Sequence, residues 1–299
     1  LRQQMHGLNH DAIDCIQADD PASLLQLMGE EAGQHSDSRQ QAEQMVHQVS
    51  GPIRDLSFRH EADYYWERSD SSDAPCLILA SPQNPFRVEI EGVSDRMFIS
   101  LLRSEDALYR YLVGTAWAEA DGQWRLYRVS VDTVEIAGKE APDWHEEAKA
   151  LYDQGYLAPA LFRQRMAVAC TSPAAFYHRE QEQEIRDFLD QLYSEFQESY
   201  AFPMEVTEID SRPAIYYVEP LFVQSEMLPK VKYLTAHPLQ DTAAVEAEAH
   251  AMAPVVRQLF PGITAGAGYI VCTAFAEPPT DPSRTYPCYT TVVEITDDA

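Results

Sequence analysis

Hydrophobic residues at helical spacing open the chain. From His10 to Met28, "HDAIDCIQADDPASLLQLM" sets Ala12, Ile13, Ile16, Leu24, Leu25 and Met28 on one stripe, the mark of an amphipathic helix. Asp20 precedes Pro21 as a cap precedes a first-turn proline, so the stretch predicts two short helices joined at Asp19 and Asp20. A third helix, "SRQQAEQMVHQV", is expected to stop before Gly51 and Pro52. The period then falls to two. In "SFRHEADYYWE", Phe58, His60, Ala62, Tyr64 and Trp66 share one face, and Ser57, Arg59, Glu61, Asp63 and Glu67 the other. "CLILA", "FRVEIE" and "MFISLL" predict further strands.

The clearest element is the hairpin from 107 to 138, turning at Ala120, Asp121 and Gly122. A three-residue loop pairs Glu119 with Gln123 and so sets Arg110 opposite Asp132. That register gathers Tyr109, Tyr111, Val113, Thr115 and Trp117 with Tyr127, Val129 and Val131 on one face. The other face carries Leu112, Gly114, Ala116 and Leu126 with Trp124, Arg128 and Ser130. It is too apolar to face water alone, which predicts a cover: a second domain, a second copy or a partner protein.

Residues 138 to 145, "GKEAPDWH", read as a boundary, dividing the chain into domains 1–140 and 141–299. Helical text continues to Cys170, and a long helix is expected to open at Ser172 and Pro173 with Ile185, Phe188, Leu189, Leu192 and Phe196 on its stripe. Strands follow Pro203, then a helix from about Thr242 to Phe260 bent or broken at Pro254. Two final strands span about 267–276 and 287–296. The fold class is α+β in both halves, the second with a mainly antiparallel sheet.

Composition narrows the functions. The chain has 299 residues, a net charge of -26 and only four lysines. That excess of acid, spread over both halves, argues against nucleic acid and anionic membrane as partners. No apolar run reaches the ~20 residues of a membrane span, which predicts a soluble chain. Because the sequence opens on Leu1, localisation stays open between cytoplasmic and extracytoplasmic, and an envelope or lipid-anchored role stays among the alternatives. The five cysteines show no zinc spacing. Cys272 and Cys288, on two strands expected to pair, are the disulfide candidates.

The order of helices, curved sheet and "DG.W" hairpin in residues ~8–138, carried by "AIDCIQADDPASLLQLM" and "YLVGTAWAEADGQWRLYRVSV", resembles the nuclear-transport-factor-like superfamily. This is the cystatin-like cone shared by ketosteroid isomerases and polyketide cyclases. The resemblance implies a cone closed by helices around an apolar pocket. The isomerase pattern needs inward carboxylates, whereas the alternation sends Asp63 and Asp132 to the opposite faces of their strands. Residues 143–299 carry no such resemblance.

His60 is the one titratable group on the apolar face of its strand, and so the single weak candidate for acid/base catalysis. Tyr64, Trp66, Tyr109, Tyr111, Trp117 and Tyr127 are the candidate pocket lining, for a small apolar ligand or as plain core. Leu112, Trp124, Leu126 and Arg128 are the candidate interaction face. The pairs His178/Glu182 and Glu246/His250 each lack a third metal ligand. The glycine-rich "GITAGAG" enters a strand and offers no helix terminus to an anion. No nucleotide-binding, hydrolase or zinc-protease motif is present, so no cofactor and no metal are expected. The leading expectation is a non-catalytic ligand-binding or protein-interaction module. The alternative is a small-molecule isomerase, cyclase or hydrolase acting through His60.

Overall fold

The computed structural model describes all residues except 30–35, 69–75, 82–83, 92, 106–107, 173–175, 282 and 296–299. The fold is α+β. Two compact units divide the chain: Leu1–Ala141 with Val168–Gln183, and Pro142–Ala167 with Glu184–Ala299. Residues 168–183 thus return to the first unit after the predicted boundary.

In the first unit, α1 (Arg2–Gln17), α2 (Pro21–Met28) and α3 (Ser36–Ile53) precede β1 (Phe58–Glu67), β2 (Cys76–Ser81), β3 (Asn84–Glu91), β4 (Arg96–Ser104), β5 (Tyr109–Ala120) and β6 (Gln123–Ile136). Asp20 caps α2 as expected, its carboxylate accepting from Ser23 N at 3.0 Å. Two helix bounds differ from expectation. α1 begins at Arg2, eight residues before the predicted start, and α3 runs through Gly51 and Pro52 to Ile53.

One antiparallel sheet has the order β1-β4-β5-β6. The helices cover one of its sides, where Met5, Ile13, Ile16, Leu24, Val46 and Ile53 bury against Phe98, Leu102, Val113, Trp117, Leu126 and Val131. The other side buries Met97, Ile99, Leu101, Leu112, Ala116 and Val134 with Val88, Ile90, Phe176 and Tyr177. These last four belong to or flank a second sheet, β2-β3-β7, whose third strand is Tyr177–Arg179. Burial on both sides explains why β4 reads as a continuous apolar run.

The hairpin register corrects the expected one. Asp121 and Gly122 have φ of 52° and 75°, so the turn holds two residues with the backbone hand of a type I′ hairpin. Ala120 therefore pairs with Gln123. Two bulges then shift the ladder, so Trp117 faces Leu126, Ala116 faces Arg128 and Arg110 faces Glu135 rather than Asp132. A third bulge lies in β1: His60 pairs with Leu102 but Ala62 with Leu101, leaving Glu61 as the extra residue.

Arg103 holds that bulge. Its guanidinium donates to Glu61 Oε2 at 2.6 Å and Glu61 Oε1 at 3.2 Å, to Glu135 at 3.2 Å and to Glu140 at 2.8 Å. Arg179 donates to Glu140 at 2.6 Å. With 11% of the Arg103 side chain exposed, these charge-assisted bonds operate in a largely water-excluded setting.

In the second unit, α4 (Ala141–Asp153), α5 (Leu157–Ala169) and α6 (Glu182–Ser199) lead into a five-stranded sheet. α4 carries the chain across the boundary at 141–142, α5 crosses back near 167–168, and α6 re-enters at 183–184. α6 starts at Glu182, not Ser172, because 177–179 is recruited as a strand of the first unit. The sheet comprises β8 (Met204–Glu205), β9 (Ala214–Val223), β10 (Glu226–Leu234), β11 (Tyr269–Phe275) and β12 (Cys288–Glu294), in the order β12-β11-β10-β9-β8. Its pairs are antiparallel except β10 with β11, which α7 (Thr242–Leu259) connects as a crossover and which runs unbroken past Pro254. The ladder sets Cys288 opposite Phe275 and Cys272 opposite Thr291, and both thiols are free. The expected disulfide fails because the two cysteines lie three rungs apart.

Removing Arg103 takes the guanidinium from Glu61 and leaves Glu135 to Arg110 and Glu140 to Arg179 alone. Arg103→Ala is expected to cost about 3 kcal/mol by urea denaturation, the scale for breaking a buried ion pair by deleting one partner. Burial favours the protonated form of Glu140, but Arg179 and Arg103 outweigh it and hold its carboxyl below the usual range. A lowered folded-state pKa contributes stability that is complete above the unfolded value and lost as pH falls through the folded one. The urea midpoint should accordingly fall on acidification below about pH 4, and less steeply in Arg103→Ala.

Candidate functional site

The bulge at Glu61 decides which side chains meet. Strict alternation would put His60 and Asp63 on opposite sides of β1. The extra residue instead lets His60, paired with Leu102, and Asp63, paired with Ser100, both face the helices. The same slip sends Tyr64 and Trp66 to the second-sheet side with Ala62. The expected absence of an inward carboxylate is thereby corrected.

α1 supplies the other half. His6 and His10 are one helical turn apart, with Asn9 between them facing the core. His6 Nε2 lies 2.7 Å from Asp63 Oδ2, and Arg2 Nε donates to the same oxygen at 2.8 Å. Ser100 Oγ donates to Asp63 Oδ1 at 2.8 Å and itself accepts from Asn9 Nδ2 at 2.8 Å. Asn9 Oδ1 accepts from Thr115 Oγ1 and Trp117 Nε1, both at 2.7 Å. Asn9, Ser100, Thr115 and Trp117 have no solvent exposure. A continuous line of polar contacts thus runs from the indole of Trp117 to the Asp63 carboxylate.

His60 stacks on His6, ring centroids 3.5 Å apart and planes at 15°, and meets the edge of His10 at 6.1 Å. Its two ring nitrogens are shielded from solvent and make no hydrogen bond among the described residues. Nδ1 lies 3.4 Å from Asp63 Oδ1, an electrostatic contact. Burial lowers the His60 pKa, the neighbouring His6 lowers it further, and Asp63 pulls the other way without prevailing. For Asp63, burial favours protonation, yet the bonds from His6, Arg2 and Ser100 win and hold the carboxyl at about 2. The site is therefore an ionised, 5% exposed carboxylate facing two stacked imidazoles. One ligand atom each from His6, His60 and Asp63 lie within 4.8 Å of one another.

The remaining predicted residues divide between sides. Tyr111 and Trp117 lie with the helices; Tyr64, Trp66 and Tyr127 pack on the second-sheet side; Tyr109 is 39% exposed. The six do not form one pocket wall, because the bulges at Glu61 and Tyr127 invert the parity. The proposed interaction face is divided by the same cause. Leu112 is buried on the second-sheet side, Leu126 and the half-buried Trp124 lie with the helices, and Arg128 is exposed over the Tyr127 ring. The chain's own β3 and the segment through β7 cover what the sequence left bare. His178 and Glu182 are 3.7 Å apart but not on one helix, and Glu246 accepts from the Tyr289 hydroxyl.

The second unit has a cleft of about 610 Å³ between α4 and α6, with His145, Tyr152 and Phe188 among its lining. Both nitrogens of its buried His145 are engaged, by Gln164 at 3.0 Å and Glu184 at 3.3 Å.

The histidine edge was missed in part because the helical reading began at His10, leaving His6 unpaired with it. A start at Arg2 exposes the His6-x-x-x-His10 spacing, the one linear signal of the site. Among the described residues, no helix is long and apolar enough to cross a membrane. Comparisons with family models, characterised proteins and solved structures find no match for this chain. Asn9→Leu tests the network from its centre. It leaves Ser100, Thr115 and the Trp117 N–H short of a buried partner, and is expected to cost about 3 kcal/mol in urea denaturation.

Proposed function

We propose that this chain is a binding protein rather than an enzyme, and that its binding site is the histidine–carboxylate edge where α1 meets β1. The amino-terminal unit is read as a member of the cone-shaped nuclear-transport-factor-like group it resembles in sequence, with the interior given over to packing. The observation that carries this reading is the occupant of the space between helices and sheet. A substrate turned over by His60 would have to lie where Asn9, Thr115 and Trp117 stand with no exposure, the last two bonded to Asn9, since the cleft of about 460 Å³ beside Leu24, Met45 and Tyr127 does not have His60 in its lining. A reaction chamber needs room of ~300 Å³ or more. The edge at His6 and His60, by contrast, keeps a path to solvent, with 32% and 19% of those side chains exposed.

Acid–base catalysis is the second reading. It is favoured by the bond from His6 to a buried carboxylate, the arrangement that orients a catalytic imidazole. Its weakness is that the ordered groups face one another and not a cavity.

The indole N–H of Trp117 separates the two in solution. Titrating the full chain with indole, a ring-sized apolar probe, should leave the Trp117 side-chain N–H resonance unmoved. Trp117→Ala should open a site for the probe, at an expected cost in stability of about 3–5 kcal/mol. A saturable shift of the Trp117 resonance in the unmodified chain would mean that the interior admits ligands, and the non-catalytic reading would be lost.

A further inference from the structure

We propose that His6, His60 and Asp63 form a site for a divalent transition-metal ion of the imidazole-preferring kind, zinc being the reference case, with solvent completing its shell. The inference deepens the reading of this edge as a binding site and rests on it. Three features carry it. The donors converge from two different elements, their nearest atoms already within 4.8 Å of one another. A tetrahedral zinc ion spaces its nitrogen and oxygen ligands roughly 3.3 Å apart, so the donor atoms are near enough, and closure requires the stacked imidazoles to tilt out of parallel until both lone pairs meet on the ion.

The second feature is His60. Its nitrogens are shielded; Nδ1 has only the long 3.4 Å contact to Asp63 Oδ1, and Nε2 makes no hydrogen bond among the described residues, which leaves that buried polar atom uncompensated. A cation between His60 and Asp63 supplies the missing partner. The third is the support behind the carboxylate. Ser100 donates to Asp63, Asn9 to Ser100, and Thr115 and Trp117 fix Asn9. Outer-shell hydrogen bonds of this kind orient ligands around a metal, and here they run through side chains with no exposure.

The donor set selects the ion. Two imidazoles and one carboxylate suit zinc, cobalt, nickel or copper. Magnesium and calcium require oxygen-rich shells that these residues do not offer. Arg2, 73% exposed, is bonded to Asp63 Oδ2. An arriving ion takes over that oxygen from Arg2 and His6, and the guanidinium returns to water at little expense.

Titration of the full chain with Co²⁺ alone tests the proposal. One ion per chain should give the intense visible bands of four-coordinate cobalt, abolished by Zn²⁺ and unaffected by equal Mg²⁺ or Ca²⁺. His6→Gln and His60→Gln should each weaken Co²⁺ binding about 100-fold, and Ser100→Ala, which spares every ligand, about tenfold. His250→Gln, on α7, should leave it unchanged. Should a ligand variant fail to fold, the unmodified chain still decides: Zn²⁺ should protect His6, the more exposed of the two imidazoles, from acylation by diethyl pyrocarbonate. Weak six-coordinate cobalt bands, cobalt affinity indifferent to losing His6 and His60 together, or zinc protection confined to other histidines would each overturn it. The Trp117 titration is independent of every one of these outcomes, so the metal and the filled interior stand or fall apart.

Discussion

A buried asparagine sets the geometry on which the amino-terminal unit depends. Asn9 points from α1 into the helix-covered side of the sheet, where its amide donates to Ser100 and accepts from Thr115 and Trp117. An amide in an apolar interior is costly unless its capacity is met, and a met one fixes the helix in both position and rotation. With α1 so held, His6 and His10 can only fall beside β1. The polar edge is thus a consequence of how the core is keyed, and the same bonds that settle the helix also hold Ser100 in place to orient the carboxylate.

The bulge at Glu61 is the complementary constraint, and the two are electrostatically separate. Arg103, Glu135, Glu140 and Arg179 hold the bulge from the second-sheet side, while Asp63, Arg2 and the histidines occupy the helix side. One extra residue in a strand therefore has an ion-pair network behind it and a polar site in front. Arg103, Arg110 and Arg179 of this unit stand against the carboxylates of Glu135 and Glu140, where an arginine fork can serve more than one oxygen.

Much of the element order was legible in the sequence, and the reasons for the failures are local. Helical and twofold spacing located α2, α3, β1, the strands at 76–81 and 84–91, and the hairpin, since period follows from backbone geometry alone. Register did not follow. A bulge leaves the residue pattern on each side of it intact and only inverts their relation, so Tyr64 and Asp63 exchanged sides without any compositional mark. Three bulges, at Glu61, Tyr127 and Val134, account for the misplaced pocket wall and for the divided interaction face. The covering of Leu112 was illegible for another reason: its cover includes Phe176 and Tyr177, more than sixty residues away, in a stretch whose flanking text reads as helix. For the site, His60 was legible from alternation, whereas His6 and Asp63 required the true helix start and the bulge.

The return of residues 168–183 to the first unit bears on how the chain is made. Emerging from a ribosome, the strands β2 and β3 have their third partner only once Arg179 has been synthesised, after α4 and α5 of the other unit. Leu112 and Ile99 await part of their cover until then. The amino-terminal unit therefore completes late, and its apolar second side is the surface that the nascent chain must shield longest.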